Sequence, residues 1–443
     1  MKPTMVLKSA AVLGVASLAL AACGGSSSSS SSSAAPAASE AAPASSAAAP
    51  ASSAAAASGP CKIGTMLPQT GNLAFLGPPM FAGVNLAVKA VNDAGGVLGA
   101  PLEVIQGDSG DTTTDIASQT ADNAISQGVS AILGAASSGV SLTVIDKITG
   151  AGVIQFSPAN TSPKLSTYAD NGLYFRTAPS DLFQGAVLGT LMLNQGIEKA
   201  GILAMDDAYG TGLADALEAN FTAGGGEITE KIIYNPQAAE FSAEVGKLKA
   251  SKPQGIAVIG FDESTKIIAE LIKQGIGPNK VPLFLVDGNM SATAYKDLPK
   301  GIMKGTKATT PGVFADDDLK KQLLAIDPKL TDFPYAPESV DAVNLIALGM
   351  VKTQSCDGKT IAAALQDISS APGEKCSDFA SCAKLLADGK DIDYEGKSGP
   401  VEFDANGDPS IATMGVYEYE ANDKYVPKLD EFVTGKVPAP AAG

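Results

Sequence analysis

The chain has no histidine, no tryptophan and a single arginine, Arg176. Without His there is no Ser-His-Asp or Cys-His nucleophile, no His-ligated zinc and no proton shuttle of near-neutral pKa. One Arg cannot build the guanidinium cluster that phosphate recognition uses. Cys is scarce, with five in 443 residues. No two of them stand in a CxxC pair, so a four-thiolate zinc site is not expected. Positive charge is also short: 31 Lys and Arg against 47 Asp and Glu leave a net −16. Such a surface repels nucleic acid and anionic lipid, and neither is expected as a partner. Carboxylate catalysis survives these exclusions. It would need two acids facing one cleft about 5–9 Å apart, and Asp262 and Asp287 are the candidates.

What is present begins with an export signal. Lys2 and Lys8 lead into an apolar run, Ser9 to Ala22, which ends in Leu20-Ala21-Ala22-Cys23. A positive start, a short apolar core and small residues before a cut site direct a chain out of the cytoplasm. The run is shorter than the roughly 20 residues that span a bilayer. With Cys directly after Leu-Ala-Ala, it resembles a bacterial lipoprotein signal. That resemblance implies removal of residues 1–22 and a lipid on Cys23, hence an extracytoplasmic protein anchored to the membrane. Residues 23–60 are nearly all Ser, Ala and Pro, with Glu40 the one charge. They cannot bury enough apolar surface to offset their ordering entropy, and they read as a flexible tether.

Four further Cys remain: Cys61, Cys356, Cys376 and Cys382. An even number in an exported chain suggests two disulfides, with three possible pairings. The short loop favours Cys376–Cys382 and leaves Cys61–Cys356.

From Cys61 onward, short apolar runs alternate with amphipathic stretches. Strands are expected at 62–67, 102–107, 131–134, 153–157 and 173–177. A second series follows at 200–205, 227–234, 255–260 and 282–286. Helices are expected near 79–93, 112–127, 139–150, 182–195, 210–223, 240–250, 263–275, 337–352 and 358–368. This alternation predicts an α/β protein with doubly wound parallel sheets. About 380 ordered residues exceed what one core normally holds, so two lobes are expected. Residues 400–426 read instead as an antiparallel hairpin.

Several loops at strand ends carry candidate chemistry. Ser137-Ser138-Gly139 follows a strand and opens a helix. It is either a plain helix cap or a cap whose free N–H groups hold a carboxylate. Ser157-Pro158-Ala159-Asn160-Thr161 also lies past a strand end, where open parallel sheets bind ligands; the alternative is a turn set by Pro158. Asp287 ends a strand in the other half, either as a partner for an ammonium group or as a solvated acid. In Asp206-Asp207-Ala208-Tyr209-Gly210-Thr211-Gly212, the two Gly are an incomplete dinucleotide fingerprint. Tyr209 there reads as a ring offered to a cleft or packed locally. Asp404, Asn406 and Asp408 imitate half a calcium loop, but Pro409 and Gly415 break the pattern and a turn is expected. Arg176 is read as a structural ion-pair partner rather than a ligand contact.

Collinear with these loops are Ile63-Gly64-Thr65-Met66-Leu67-Pro68-Gln69-Thr70-Gly71, Asn92-Asp93-Ala94-Gly95-Gly96-Val97-Leu98-Gly99 and Phe175-Arg176-Thr177. Over residues 61–426 the chain resembles the branched-chain amino-acid-binding proteins of ABC importers. The resemblance implies a type I periplasmic-binding-protein fold: two lobes joined by a three-strand hinge, lobe 1 being 61–178 plus 308–399 and lobe 2 being 179–307 plus 400–430. Residues 431–443 are left as a flexible tail. It implies capture of a small amino acid by hinge closure, delivery to membrane permease subunits, a monomer, no cofactor, no metal and no catalysis. Ser137 or Ser138 would donate to the ligand carboxylate with help from Thr161, and Asn160 would also belong to the binding site. The Ala159 carbonyl and Asp287 would hold the ammonium, Tyr209 would close over the ligand, and Phe75, Leu76 and Phe261 would line the side-chain pocket. An amide, urea or aromatic-acid ligand, or a sensory role at a membrane receptor, is the alternative within the same family.

Overall fold

In a computed structural model, which describes residues 59–440, the chain forms two α/β halves, each on its own sheet. The signal segment, Cys23, nearly all of the tether and residues 441–443 lie outside the described residues. The first sheet has five parallel strands: Lys62–Met66, Glu103–Ile105, Ala131–Gly134, Ile154–Ser157 and Tyr174–Arg176. Their spatial order is second, first, third, fourth, fifth. The second sheet repeats that order with Lys199–Met205, Glu227–Tyr234, Gly255–Ile259, Leu283–Val286 and Lys307–Pro311. It then adds Ile411–Tyr419, antiparallel to Lys307–Pro311. Central strands such as Ala131–Gly134 and Gly255–Ile259 are buried at every residue, as expected when helices cover both faces of a parallel sheet.

In the first half, helix Gly77–Asp93 lies against helix Ala336–Thr353, which is buried from Ala336 to Met350. The approach is close because Gly83 has no side chain: a Cβ there would collide with the Ala336 carbonyl. In the second half, helix Asp181–Asn194 packs on helix Ala208–Ala223, where Gly185 meets Ala216 in the same way. The chain passes between halves three times: after Arg176, after Pro311 and before Ile411.

These passages move the expected boundaries. Strand Lys307–Pro311 is hydrogen-bonded along its length within the second sheet, so a boundary at 307–308 would cut it. Residues 401–408 stay with the first half: Phe403 packs edge-on against Phe156 and Phe175, at 6.0 and 5.3 Å between ring centres. The third crossing point is therefore near 410 rather than 400. The hairpin forms as Ile411–Tyr419 with Tyr425–Pro427. The expected free tail at 431–443 is corrected in part, because Val433–Lys436 pairs antiparallel with Ile411–Met414. Residues 404–408 form a tight turn in which the Asp408 carbonyl accepts from Asp404 N.

Both expected disulfides are present, Cys61–Cys356 and Cys376–Cys382. Arg176 is wholly buried and structural. Its Nε and Nη2 donate to the two Asp408 carboxylate oxygens, each at 2.6 Å. Nη1 and Nη2 also reach the Ser162 carbonyl at 3.0 Å and Ser166 Oγ at 2.7 Å. The pair ties the 404–408 turn to the loop that carries Thr161.

Candidate functional site

Because both sheets share one strand order, their carboxyl ends present equivalent loops, and these loops meet. From the first half come Ala136 and Ser138, after strand Ala131–Gly134, and Ala159 and Thr161, after strand Ile154–Ser157. From the second come Tyr209, Phe261, Asp287 and Gly288, each following a strand of its own sheet. Leu73, Leu76 and Tyr335 complete the lining. This is the place where doubly wound sheets bind ligands.

At the first-half wall, helix Ser138–Gly150 points its N-terminus at the cavity. Ser137 is its cap, with Oγ accepting from Val140 N at 3.3 Å, so its hydroxyl is engaged locally. Ser138 Oγ accepts from Thr161 N at 3.4 Å and Ser162 N at 3.2 Å. With two N–H bonds coming in, its own O–H remains to be donated, and Ser138 lines the cavity. Helix N-termini keep N–H groups without intrahelical partners and favour an anion.

At the opposite wall, Asp287 is buried and receives three hydrogen bonds. Gln184 Nε2 and Tyr209 Oη reach Oδ1 at 2.8 and 3.0 Å, and Tyr335 Oη reaches Oδ2 at 2.6 Å. All three donors are neutral. Among the described residues, no Lys or Arg forms an ion pair with Asp287. Burial pushes its carboxyl above the ordinary range, and the three hydrogen bonds work against that rise. Nearby Asp181 opens helix Asp181–Asn194, is fully buried, and neither of its carboxylate oxygens has a partner among the described residues. Burial and the charge of Asp287 push Asp181 well upward. The cavity therefore has an anion-seeking wall facing an uncompensated acidic one.

Tyr209 stacks on Phe261 with ring centres 5.4 Å apart and planes 11° from parallel, forming an apolar lid beside Asp287. These groups leave only about 10 Å3 of free space between them, roughly room for one water. A larger guest needs the halves to part. Polar contacts that hold them together lie close by: Ser162 Oγ donates to the Ala208 carbonyl at 2.6 Å. Gly139 also faces Asp207, whose second carboxylate oxygen has no partner among the described residues. Burial pushes the Asp207 carboxyl up to about 6.

Of the residues expected from sequence, Ser138, Ala159, Thr161, Tyr209, Leu76, Phe261 and Asp287 line the cavity. Three do not. Ser137 is a cap, and Phe75 packs against the hydrophobic core beside Leu76. Asn160 is fully buried, donating to the Ala136 carbonyl at 2.8 Å and accepting from Tyr174 Oη at 3.0 Å. It shapes the loop rather than touching a guest. The sequence reading missed Leu73, Ala136, Gln184, Asp181 and Tyr335. Tyr335 comes from a distant segment and has a left-handed φ of 61°, a conformation rare for non-glycine residues. Asp262 lies outside this lining, so the paired-acid arrangement of a hydrolase is not formed in it.

Comparison with known proteins agrees with this geometry. A family model described as periplasmic binding protein matches residues 60–422. The Leu/Ile/Val-binding protein homolog 3 of Brucella melitensis is 27% identical over 363 residues, 81% of this chain and 91% of that protein. The leucine-, isoleucine-, valine-, threonine- and alanine-binding protein of Pseudomonas aeruginosa is 28% identical, covering 69% of this chain and 82% of its own. The crystal structure of a leucine-binding protein, LivK, from Thermotoga maritima superposes with a TM-score of 0.67 at 19% identity, covering 85% of this chain and 99% of that one. The chain belongs to the periplasmic binding protein family, and is a solute-binding protein of extracytoplasmic type rather than an enzyme.

Proposed function

We propose that the cavity captures a free amino acid with a small apolar side chain, of the branched-chain class. The observation that carries this reading is the charge arrangement. Asp287 is a buried carboxylate served only by neutral donors, and it faces a helix N-terminus and Ser138 across the gap. A zwitterion supplies both missing charges at once. Its ammonium takes Asp287 and the Ala159 carbonyl, and its carboxylate takes Ser138, Thr161 and the N–H groups at the start of helix Ser138–Gly150. Leu73, Leu76 and Phe261 receive the side chain. Ser137 and Asn160 hold the two first-half loops in shape.

Mechanism follows from the two walls belonging to different halves. A guest that bonds to both is worth more in the closed shell than in the open one, and shifts that equilibrium towards closure. The ammonium displaces Tyr209 and Tyr335 from Asp287, exchanging neutral donors for a charged one. The closed shell then presents a distinct surface to a membrane permease. In this reading the halves divide as 61–176 with 312–408, and 181–311 with 411–436. The export signal supports a lipid on Cys23, which holds a monomeric shell at the membrane on the Ser/Ala/Pro tether.

Native mass spectrometry of gently purified protein tests the ligand assignment, as does thermal melting against single amino acids. A retained mass matching leucine, isoleucine or valine, and a melting point that climbs with the logarithm of that amino acid's concentration, support it. No shift with any amino acid overturns it.

A further inference from the structure

A roomier cleft, of about 390 Å3, lies beside the hinge rather than between the ligand walls. It is bounded by the passage after strand Lys307–Pro311, by the segment leading into helix Ala336–Thr353 and by the hairpin strands near Tyr417 and Tyr425. Pockets of roughly 300–1000 Å3 suit small organic ligands. Its walls include the aromatic rings of Phe314, Phe333, Tyr417 and Tyr425.

One acid in it is unusual. Glu338, in the first turn of helix Ala336–Thr353, is 1% exposed, yet Oε1 has no hydrogen-bond partner among the described residues. The carboxyl lies directly over Gly312, where no Cβ would fit. Burial holds it well above the ordinary carboxylate range, and an adjacent cation would supply the charge that lets it ionise. Two of the other charged groups on the walls, Asp332 and Lys320, already have partners. Asp332 accepts from Tyr425 Oη at 2.7 Å and from Ala292 N at 3.4 Å, and burial raises its carboxyl above the ordinary range against the opposing pull of those bonds and of Lys424. Lys320 Nζ sits 3.6 Å from the centre of the Phe314 ring. That last contact shows the aromatic wall already seating one ammonium by its π face.

We propose that this hinge cleft is a second ligand site, for a small organic cation. A primary amine pairs with Glu338, and its apolar body lies among Phe314, Phe333 and Tyr417. An unpartnered buried acceptor is destabilising, and an amine donor would satisfy it. The site differs from the interlobe cavity in residues and in ligand charge. Tyr335 borders both, with its hydroxyl committed to Asp287.

Calorimetric titration of the intact protein with benzylamine, and with benzyl alcohol as its uncharged match, tests the assignment. The expected result is saturable benzylamine binding, at least about tenfold tighter than benzyl alcohol. Glu338→Gln should weaken it about tenfold or more, while Asp287→Asn should leave it within about twofold. Phe314→Ala should also weaken it, which covers the case in which Glu338→Gln does not fold. Three results would overturn the site: no binding up to about 10 millimolar, equal binding of the alcohol, or binding that vanishes in Asp287→Asn and survives in Glu338→Gln. The last would put the amine in the interlobe cavity.

Discussion

The Tyr335 hydroxyl donates a 2.6 Å hydrogen bond to Asp287 across the line between the two halves. Tyr335 enters helix Ala336–Thr353 of the first half, and Asp287 follows a strand of the second. One side chain thus helps to close the shell and occupies a bonding direction that an ammonium would take. Hydrogen bonds to charged groups contribute about 1.5–3 kcal/mol. Tyr335→Phe should therefore shift the unliganded protein towards the open form, by about tenfold or more in the open-to-closed ratio. Small-angle scattering should show a larger radius of gyration for the variant without ligand. The urea midpoint should move little, since the ring stays buried.

Asp287 itself makes opposite contributions to stability and to binding. Burial without a cation raises its pKa, so ionised Asp287 is a cost to the empty protein. Asp287→Asn should raise the melting temperature of the ligand-free protein. The same change removes the partner of the ammonium, a loss of about 2–5 kcal/mol. Affinity for the amino acid should fall by about thirtyfold or more. Differential scanning calorimetry with and without ligand reads both effects on one sample.

Asp207 sets a pH dependence. Burial raises its carboxyl to about 6, above its unfolded value of about 3.9. Between those values the folded chain binds more protons than the unfolded one, so stability falls as pH rises through the window. Melting temperature should be higher at about pH 5 than at pH 7, and Asp207→Asn should flatten that slope. Buried Asp181 and Glu338 are raised in the same direction, so the slope should shrink rather than vanish.

The Arg176–Asp408 pair should matter for folding rather than for contact with a guest. Both side chains are nearly or fully buried and bonded twice to each other. Removing one partner of such a pair costs about 3–5 kcal/mol. Asp408→Asn should lower the denaturation midpoint accordingly, and amino-acid affinity per folded molecule should change by less than about threefold. Fluorescence-monitored unfolding together with calorimetric titration of the amino acid separates the two.

Much of this was legible in the sequence because it is local. Apolar runs such as Ala131–Gly134 announce strands, and the loops that follow them, Ser138 and Thr161 included, lie at carboxyl ends by construction. Asp287 was legible for the same reason. The α/β rhythm held across both halves, with helix bounds such as 358–368 recovered to the residue. What stayed hidden depends on distance along the chain. Tyr335 and Gln184 reach Asp287 from 48 and 103 residues away, and no local pattern marks either. Ser137 and Asn160 look like ligand donors by type, but Ser137 serves as a helix cap and Asn160 is buried in bonds to Ala136 and Tyr174, and neither lines the cavity. Helices Asp317–Ile326 and Phe379–Ala387 are short and follow no strand signal. Strand Val433–Lys436 is mostly exposed and is fixed only by the ladder to Ile411–Met414.

The central claim is that a guest is held by both of its charged ends, one on each half. Calorimetric titration of the purified protein with L-leucine, N-acetyl-L-leucine and L-leucinamide tests it directly. N-acetylation removes the ammonium that faces Asp287, and amidation removes the carboxylate that faces Ser138. Saturable binding of leucine alone, with both blocked forms silent, is the expected result. Binding that persists in either blocked form would contradict the two-ended grip.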